Sequence, residues 1–259
     1  MQVPPIFSAI TVFVYCQLHR AGYVIDTHSS TFISSAWRWA LGIHRSLSRK
    51  AITTIVPNAD LEKIVHSWGC RVSRLGFTPA NYPLGERFPL DVGFNVAVIC
   101  CFDSDEPLAP VLEAARHLPE VNFYVTGDSR RASSTLLENK PGNCHFTGYV
   151  PYAKYVGLLR EVDAIIDLTN WDHTLLMGAY EAVSLGTPLI VSDWPVLRDY
   201  FHLGTVHVPN TVEGICEGVR RAQREQTALR QGILLLREQL QADWDRQFAE
   251  LLLLLKEKC

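Results

Sequence analysis

The chain has 259 residues, of which 47% are hydrophobic and 20% are charged, and its formal net charge is -3 at pH 7. A chain of this length and composition can bury one large hydrophobic core or two modest ones. The slightly acidic balance lacks the basic surface that nucleic-acid binding requires, so nucleic acid is excluded as a partner.

The first apolar stretch runs from Ile6 to Cys16. It is too short to cross a bilayer and follows no basic region of the kind that starts a signal peptide. We interpret it as a packed helix or as one that touches a membrane surface. The seven cysteines are odd in number and have no paired or metal-binding spacing, which favours reduced thiols in a cytoplasmic protein.

After this stretch, short apolar runs rich in β-branched residues alternate with longer helical patterns. This alternation predicts parallel strands covered by helices on both faces, the doubly wound α/β fold. Such folds bind ligands at the carboxyl ends of their strands, so the polar residue at the end of each run is a candidate for a site. The runs are GYVIDTHSS, AITTIVPN, NVAVICCFDSDEP, VNFYVTGD, CHFTGYV, DAIIDLTN, PLIVSDWP and GTVHVPN.

A segment rich in proline and glycine occupies residues 78–93 and predicts a domain boundary. Residues 1–82 contain only two obvious strands and predict a small N-terminal domain. Residues 83–259 continue the alternation and predict a more complete one. The last helix, at 243–256, carries five consecutive leucines that require a partner surface.

Segment 170–195 places an acid, Glu181, within a pattern that predicts a buried helix followed by a buried strand. We expect the helix to begin at Thr174, with Asp172 or Thr174 itself as the cap, and to end at Gly186. Its first amide groups then point toward the ligand, where a phosphate can bind.

Glu181 follows His173 by eight residues, which brings both to nearly the same side of a helix. One extended ligand could therefore touch both side chains. The alternative is that Glu181 pairs with a nearby arginine or reaches solvent.

YEAVSLGTPLIVSD resembles the signature EA(M)xxGxPVIxS of the family 4 nucleotide-sugar glycosyltransferases. NVAVICCFDSDEPLAPVLEAARHLP is similar to the first strand and helix of their donor domain, and CHFTGYVPYAKYVGLLREVDAIIDLT to the part that carries the nucleobase loop. The resemblance implies the GT-B fold of two Rossmann-like domains. Residues 83–259 would be the donor-binding domain and 1–82 a truncated acceptor-side domain, on which the helix at 243–256 packs back.

The resemblance also implies an activity: transfer of a hexose from a nucleoside diphosphate sugar to an acceptor hydroxyl, with retention and without a metal or other cofactor. The donor would be of the UDP or GDP type, and the acceptor a carbohydrate or a lipid-linked molecule. An acid that accepts hydrogen bonds from both ribose hydroxyls gives Glu181 a physical role.

The implied site has two histidines near the reacting sugar. His28 matches the family histidine of the acceptor side, although a histidine at a strand end is by itself more often structural. His173 stands where the family has its first glutamate. The implied donor-binding residues are Glu181, Asp172, Thr174, Leu175, Gly127, Tyr149 and Ser192.

The loop CFDSDEPLAP departs from the family because it is acidic and lacks the arginine and lysine that usually hold the diphosphate. Three replacements are open: the helix start at His173 and Thr174, an arginine elsewhere such as Arg74, or a metal on Asp103 and Asp105.

The small N-terminal domain leaves a sheet edge and an apolar face that a dimer or another partner could cover.

Two alternatives to an active enzyme are open: a degenerate glycosyltransferase module that is non-catalytic or depends on a partner, and an unrelated Rossmann-type binding protein. We expect a cytoplasmic protein that can associate with membranes, since the apolar start and the leucine run suit contact with a lipid surface.

Overall fold

The structure is a computed structural model that describes residues 1–33 and 36–258. These residues form two compact units. The first unit contains Met1–Thr78, His173–Leu175 and Leu240–Cys259, and the second contains Pro79–Asp172 and Leu176–Gln239. Residues 243–256, which the resemblance associates with the N-terminal part, thus belong to the first unit.

The first unit has a parallel sheet of four described strands in the order β1-β2-β3-β4. Its core has two clusters of residues that are nearly inaccessible to solvent, one with Val3, Ile6 and Ile25 and another with Leu61 and Val65. The strands are β1 (Gln2–Val3), β2 (Val24–Thr27), β3 (Thr53–Val56) and β4 (Val72–Arg74), and the helices are α1 (Ile6–His19), α2 (Ser30–Ile33), α3 (Leu41–Ser48) and α4 (Ala59–His66).

The second unit has a parallel sheet of six described strands in the order β10-β9-β8-β5-β6-β7. Its strands are β5 (Phe94–Val98), β6 (Val121–Thr126), β7 (Cys144–Gly148), β8 (Ala164–Asp167), β9 (Leu189–Ser192) and β10 (Thr205–Val208). Its helices are α5 (Leu108–Arg116), α6 (Ser134–Glu138), α7 (Tyr152–Glu161), α8 (Met177–Leu185), α9 (Pro195–Tyr200), α10 (Val212–Arg224) and the first part of α11 (Gln226–Lys258).

The predicted α/β fold with parallel sheets is confirmed, and each of the eight predicted runs contains a strand. The continuous burial of β5, β8 and β9 explains why their sequences show no polar alternation, since helices cover both faces of such a sheet. Strands β1 and β4 were not predicted. They have two and three residues, too few for a recognisable pattern.

Helix α1 forms at the apolar start, and its inner side buries Ile6, Ala9 and Cys16. Its outer side exposes an apolar stripe, of which Phe7 is 61% and Leu18 is 77% exposed. Across residues 1–33 and 36–258, no helix is long and apolar enough to cross a membrane. The six cysteines within this part of the chain are free thiols, and Cys259 lies outside it.

Candidate functional site

The strand order of the second sheet changes direction between β5 and β8, which are neighbours in the sheet. The chain adds β6 and β7 on one side of β5, then returns to place β8 on the other, with Val98 opposite Ile166. Doubly wound sheets bind ligands at such a switch point, beyond the carboxyl ends of the two central strands. The loops that follow β5 and β8 are therefore the candidate site.

Helix α8 begins at Met177, so the prediction that it begins at Thr174 is wrong. His173 has a left-handed backbone with φ of 62°, and Leu176 is extended, so residues 173–176 do not continue the helix. The predicted end is correct, because Gly186 closes the helix with φ of 75°.

The predicted cap of α8 is also wrong, because the residue that accepts from the helix start is Asp167 at the end of β8. Its Oδ2 accepts a hydrogen bond from the amide of Ala179 at 2.9 Å. Gly178 allows this approach, since a Cβ at that position would lie 2.6 Å from the same oxygen. The cap thus comes from a neighbouring strand instead of from Asp172 or Thr174.

The carboxyl group of Asp167 is buried among other acids. Burial is the main cause that raises its pKa to about 8; the negative charges of Glu106, Glu181 and Asp105 contribute to the rise, and the hydrogen bond from Ala179 opposes it. Asp167 therefore carries mostly a proton at pH 7. A neutral acid at the start of α8 spares a bound anion part of the repulsion that an aspartate would cause.

Glu181 lies on α8, half-buried, and its partner is a tyrosine instead of the arginine or solvent that the sequence left open. The hydroxyl of Tyr155 on α7 donates to Oε2 of Glu181 at 2.5 Å. Burial raises the pKa of Glu181, and this hydrogen bond lowers it. Burial and the charge of Glu181 both raise the pKa of Tyr155, which keeps the phenol a donor.

The acidic loop after β5 uses one of its acids internally. The Glu106 carboxylate accepts hydrogen bonds from the amides of Cys101 at 2.9 Å and of Asp103 at 3.1 Å. A base that sequence reasoning missed also reaches this loop: Arg131, which follows β6, donates to Asp103 Oδ1 at 2.5 Å. Arg131 lies 28 residues from Asp103 in the chain, so no local pattern announces the pair.

Three predicted donor-binding residues lie at other strand ends of this sheet. Gly127 has φ of 94°, and a Cβ there would lie 2.0 Å from the carbonyl oxygen of Cys100, so only glycine fits. Tyr149 follows β7 and is 87% exposed. Ser192 is buried. Its hydroxyl accepts a hydrogen bond from the Thr169 amide and donates one to Asn210, so it bonds groups of the protein itself.

His28 directly follows β2 in the first unit. Its Nε2 lies 3.4 Å from Asp26 Oδ2 and 3.0 Å from the side-chain Nε2 of Gln2, and its ring is near Phe77. The hydrogen bond with Asp26 raises the pKa of His28, partly against the effect of burial. The pair holds the imidazole in one orientation at the strand end.

His173, Thr174 and Leu175 belong to the first unit, whereas Asp172 and Glu181 belong to the second. Nδ1 of His173 lies 3.3 Å from Asp60 Oδ2 on α4. The Thr174 hydroxyl is buried and has no hydrogen-bond partner among the residues described.

The sequence also left a metal or Arg74 as substitutes for the missing bases. Arg74 lies in the first unit, 3.7 Å from Glu62. Asp105 accepts from the hydroxyl of Thr169 at 3.0 Å, and Asp103 is paired as described. Outside residues 34, 35 and 259, no group of three or more histidine, cysteine or acidic side chains is arranged to hold a metal ion.

Solved structures that are similar to this chain include glycosyltransferases with the GT-B fold. Sucrose-phosphate synthase of Thermosynechococcus elongatus superposes with a TM-score of 0.74 at 16% identity, over 96% of this chain and 71% of its own. HepE of Anabaena, solved with UDP and glucose, gives 0.71 at 15% identity, over 97% and 76%. Pneumococcal O-GlcNAc transferase GtfA, solved with UDP and GlcNAc, gives 0.65 at 15% identity, over 93% and 54%.

A search among curated proteins found no match. The family model described as "Glycosyl transferase-like" matches residues 109–252, from α5 to the second half of α11. The matched region includes Glu181, Tyr155 and Asp167. Because it covers more than half of the chain, the protein belongs to the glycosyl transferase-like family.

Proposed function

We propose that the chain transfers a hexose from a nucleoside diphosphate sugar to an acceptor hydroxyl with retention. The observation that carries this proposal is Glu181, a half-buried carboxylate beside the switch point of the second unit and inside the region matched by the family model. Two of the similar structures were solved with UDP, which supports a donor of the UDP type.

In the proposed complex, Glu181 accepts hydrogen bonds from the ribose hydroxyls of the donor. The first amides of α8 and the guanidinium of Arg131 stabilise the diphosphate, which carries more negative charge as it leaves. The proposed donor-binding set also contains Asp172, Thr174, Leu175, Gly127, Tyr149 and Ser192. Ser192 would support this set indirectly, because its hydroxyl bonds the Thr169 amide and Asn210. His28 and His173 are the proposed catalytic residues. Rate enhancement would come from positioning and from stabilising the leaving group. The acceptor is a carbohydrate or a lipid-linked molecule.

The first test is calorimetric titration of the chain with UDP and with GDP, comparing wild type with Glu181→Gln. Loss of two charge-assisted hydrogen bonds predicts binding weaker by about 100-fold. Glu138→Gln is the matched control, because Glu138 is an exposed glutamate of the same unit. Equal affinity in wild type and Glu181→Gln would contradict the role of Glu181.

The second candidate is a non-catalytic or partner-dependent module, and the acids at the switch point favour it. Asp103, Asp105 and Glu106 all lie in the loop after β5, where a diphosphate would approach. One of the similar structures is the GtfA/B complex, and the apolar stripe of α1 could be covered by such a partner or by a second copy of the chain. A folded protein that binds neither UDP nor GDP would favour this candidate.

A further inference from the structure

Glu181 interacts electrostatically with hydroxyl and carboxyl groups from three segments of the second unit. Tyr155 comes from α7, Tyr82 from the segment before β5, and Asp167 from the end of β8. The charge of Glu181 raises the pKa of all three groups, in each case after the larger effect of burial. Tyr155 is the group that donates a hydrogen bond to the carboxylate.

The position of Tyr155 is fixed by the packing of α7. Gly157, two residues later on this helix, lies against the chain at Glu86, where a Cβ would be 1.7 Å from the carbonyl oxygen. The amide of Glu86 donates to the Ala153 carbonyl at 2.9 Å. Backbone contacts this close leave the helix no room to slide, so the Tyr155 hydroxyl is a fixed donor rather than an adaptable one.

A carboxylate has two oxygens and about four lone-pair directions. The hydroxyl of Tyr155 takes one direction on Oε2 and holds the side chain in one rotamer. Oε1 then remains to accept from a ligand, together with what is left of Oε2. An ionised carboxylate only accepts hydrogen bonds, so a ligand must offer hydroxyl donors to satisfy it.

We propose that Tyr155 is a positioning residue which orients Glu181 for the ribose hydroxyls, and that the second unit thereby selects ribonucleotide donors over 2′-deoxyribonucleotide donors. Tyr155 has this role only if the second unit binds the donor through Glu181 as proposed above. A site built to bond a hydroxyl rejects the analogue that lacks it, because its own polar group is then left without a partner.

The test uses calorimetry on the full chain with UDP, GDP and their 2′-deoxy counterparts, in wild type and in Tyr155→Phe. Wild type is expected to bind the better ribonucleotide at least about tenfold more tightly than its deoxy form. In Tyr155→Phe, we expect ribonucleotide affinity to fall about tenfold and this preference to shrink. The acid limit of binding should move to higher pH, because Glu181 loses the hydrogen bond that favours its charged form.

Tyr124→Phe is the matched control. Tyr124 is a buried tyrosine of the same unit, and its hydroxyl accepts from the Asp91 amide at 2.7 Å. Removing that hydroxyl should leave the ribose preference and the pH limit unchanged, whatever it does to stability. Circular dichroism establishes that each variant is folded.

The outcomes separate the two proposals. If wild type binds UDP or GDP and Glu181→Gln does not, but Tyr155→Phe keeps the affinity, preference and pH limit of wild type, then the role of Tyr155 is overturned while the donor site stands. The ratio of ribose to deoxyribose affinity in wild type is a measurement that does not depend on the folding of any variant, and a ratio near one overturns the selectivity. If wild type binds no nucleotide, the donor site and the role of Tyr155 are both overturned.

Discussion

The two units bury titratable side chains of opposite kinds. In the first unit, His44 on α3 is fully buried, and its Nε2 lies 3.0 Å from the hydroxyl of Thr27. In the second, Asp167 is buried against the start of α8. Burial lowers the pKa of the histidine from 6.5 to about 4 and raises that of the aspartic acid from 3.8 to about 8.

Both groups are held in their neutral forms, but the consequences for stability have opposite signs. Unfolded His44 takes up a proton below pH 6.5, so its contribution to the first unit is lost as pH falls from about 6.5 to about 4. Unfolded Asp167 releases its proton above pH 3.8, so its contribution to the second unit is lost as pH rises from about 4 to about 8. The two units should therefore weaken at opposite ends of the pH scale.

The largest expected effect is that of Asp167→Asn in the second unit. Asparagine keeps an oxygen to accept from Ala179 but has no proton to lose. At pH 9 the variant should be more stable than wild type, with an upper limit of about 6 kcal/mol for a shift of this size. Below pH 4 the difference should vanish. Hydrogen exchange of peptides from β5 and β8, followed by mass spectrometry from pH 5 to pH 9, measures how local stability changes with pH, which we call the pH slope.

The matched control for this change is Asp199→Asn, since Asp199 is an exposed aspartate of the same unit. It should leave the pH slope of β5 and β8 unaltered. If Asp167→Asn also left the pH dependence of exchange in β5 and β8 unaltered, the buried carboxyl could not be the cause of the loss of stability at alkaline pH. If the slope of β3 peptides from the first unit changed equally, the contrast between the units would fail.

The next effect is that of His44→Gln in the first unit. Wild type should lose about 2 kcal/mol of local stability between pH 7 and pH 5, because unfolded His44 gains a proton that the buried ring does not accept. Glutamine does not titrate and can still bond Thr27, so the loss should disappear. His66→Gln, at an exposed histidine of α4, is the control, and exchange of β3 peptides is the measurement. If the loss of stability at acid pH persisted in His44→Gln, its cause would be other titratable groups.

Sequence reasoning found the elements whose signal is local. Val- and Ile-rich runs marked eight strands, and the glycine at position 186 marked a helix end, because both depend on neighbouring residues alone. The start of α8 was placed three residues too early. Its cap, Asp167, comes from the preceding strand, and a bend at residues 173–176 separates the two, which no cap pattern encodes.

The candidate site followed the same rule. Spacing and resemblance identified Glu181, but its partner Tyr155 lies 26 residues earlier on another helix and was visible only in the fold. The loop after β5 is acidic in sequence, which suggested that no base in it could hold a diphosphate. In the structure Glu106 bonds the loop's own amides and Arg131 pairs with Asp103, so fewer of its acids are free of a partner. Contacts between distant segments decide which acids are available to a ligand.

The smallest expected effect compares a helix cap in each unit. Asn58 Oδ1 accepts from the Leu61 amide at 2.9 Å at the start of α4, and Thr211 Oγ1 accepts from the Gly214 amide at 3.1 Å at the start of α10. Asn58→Ala and Thr211→Ala should each cost about 1 kcal/mol, because one amide of the first turn loses its acceptor. Each loss should appear in hydrogen exchange of the variant's own helix and leave the other helix unchanged. If exchange rose equally in both helices, the two units would open together. The stability of each unit would then show the same dependence on pH instead of opposite ones.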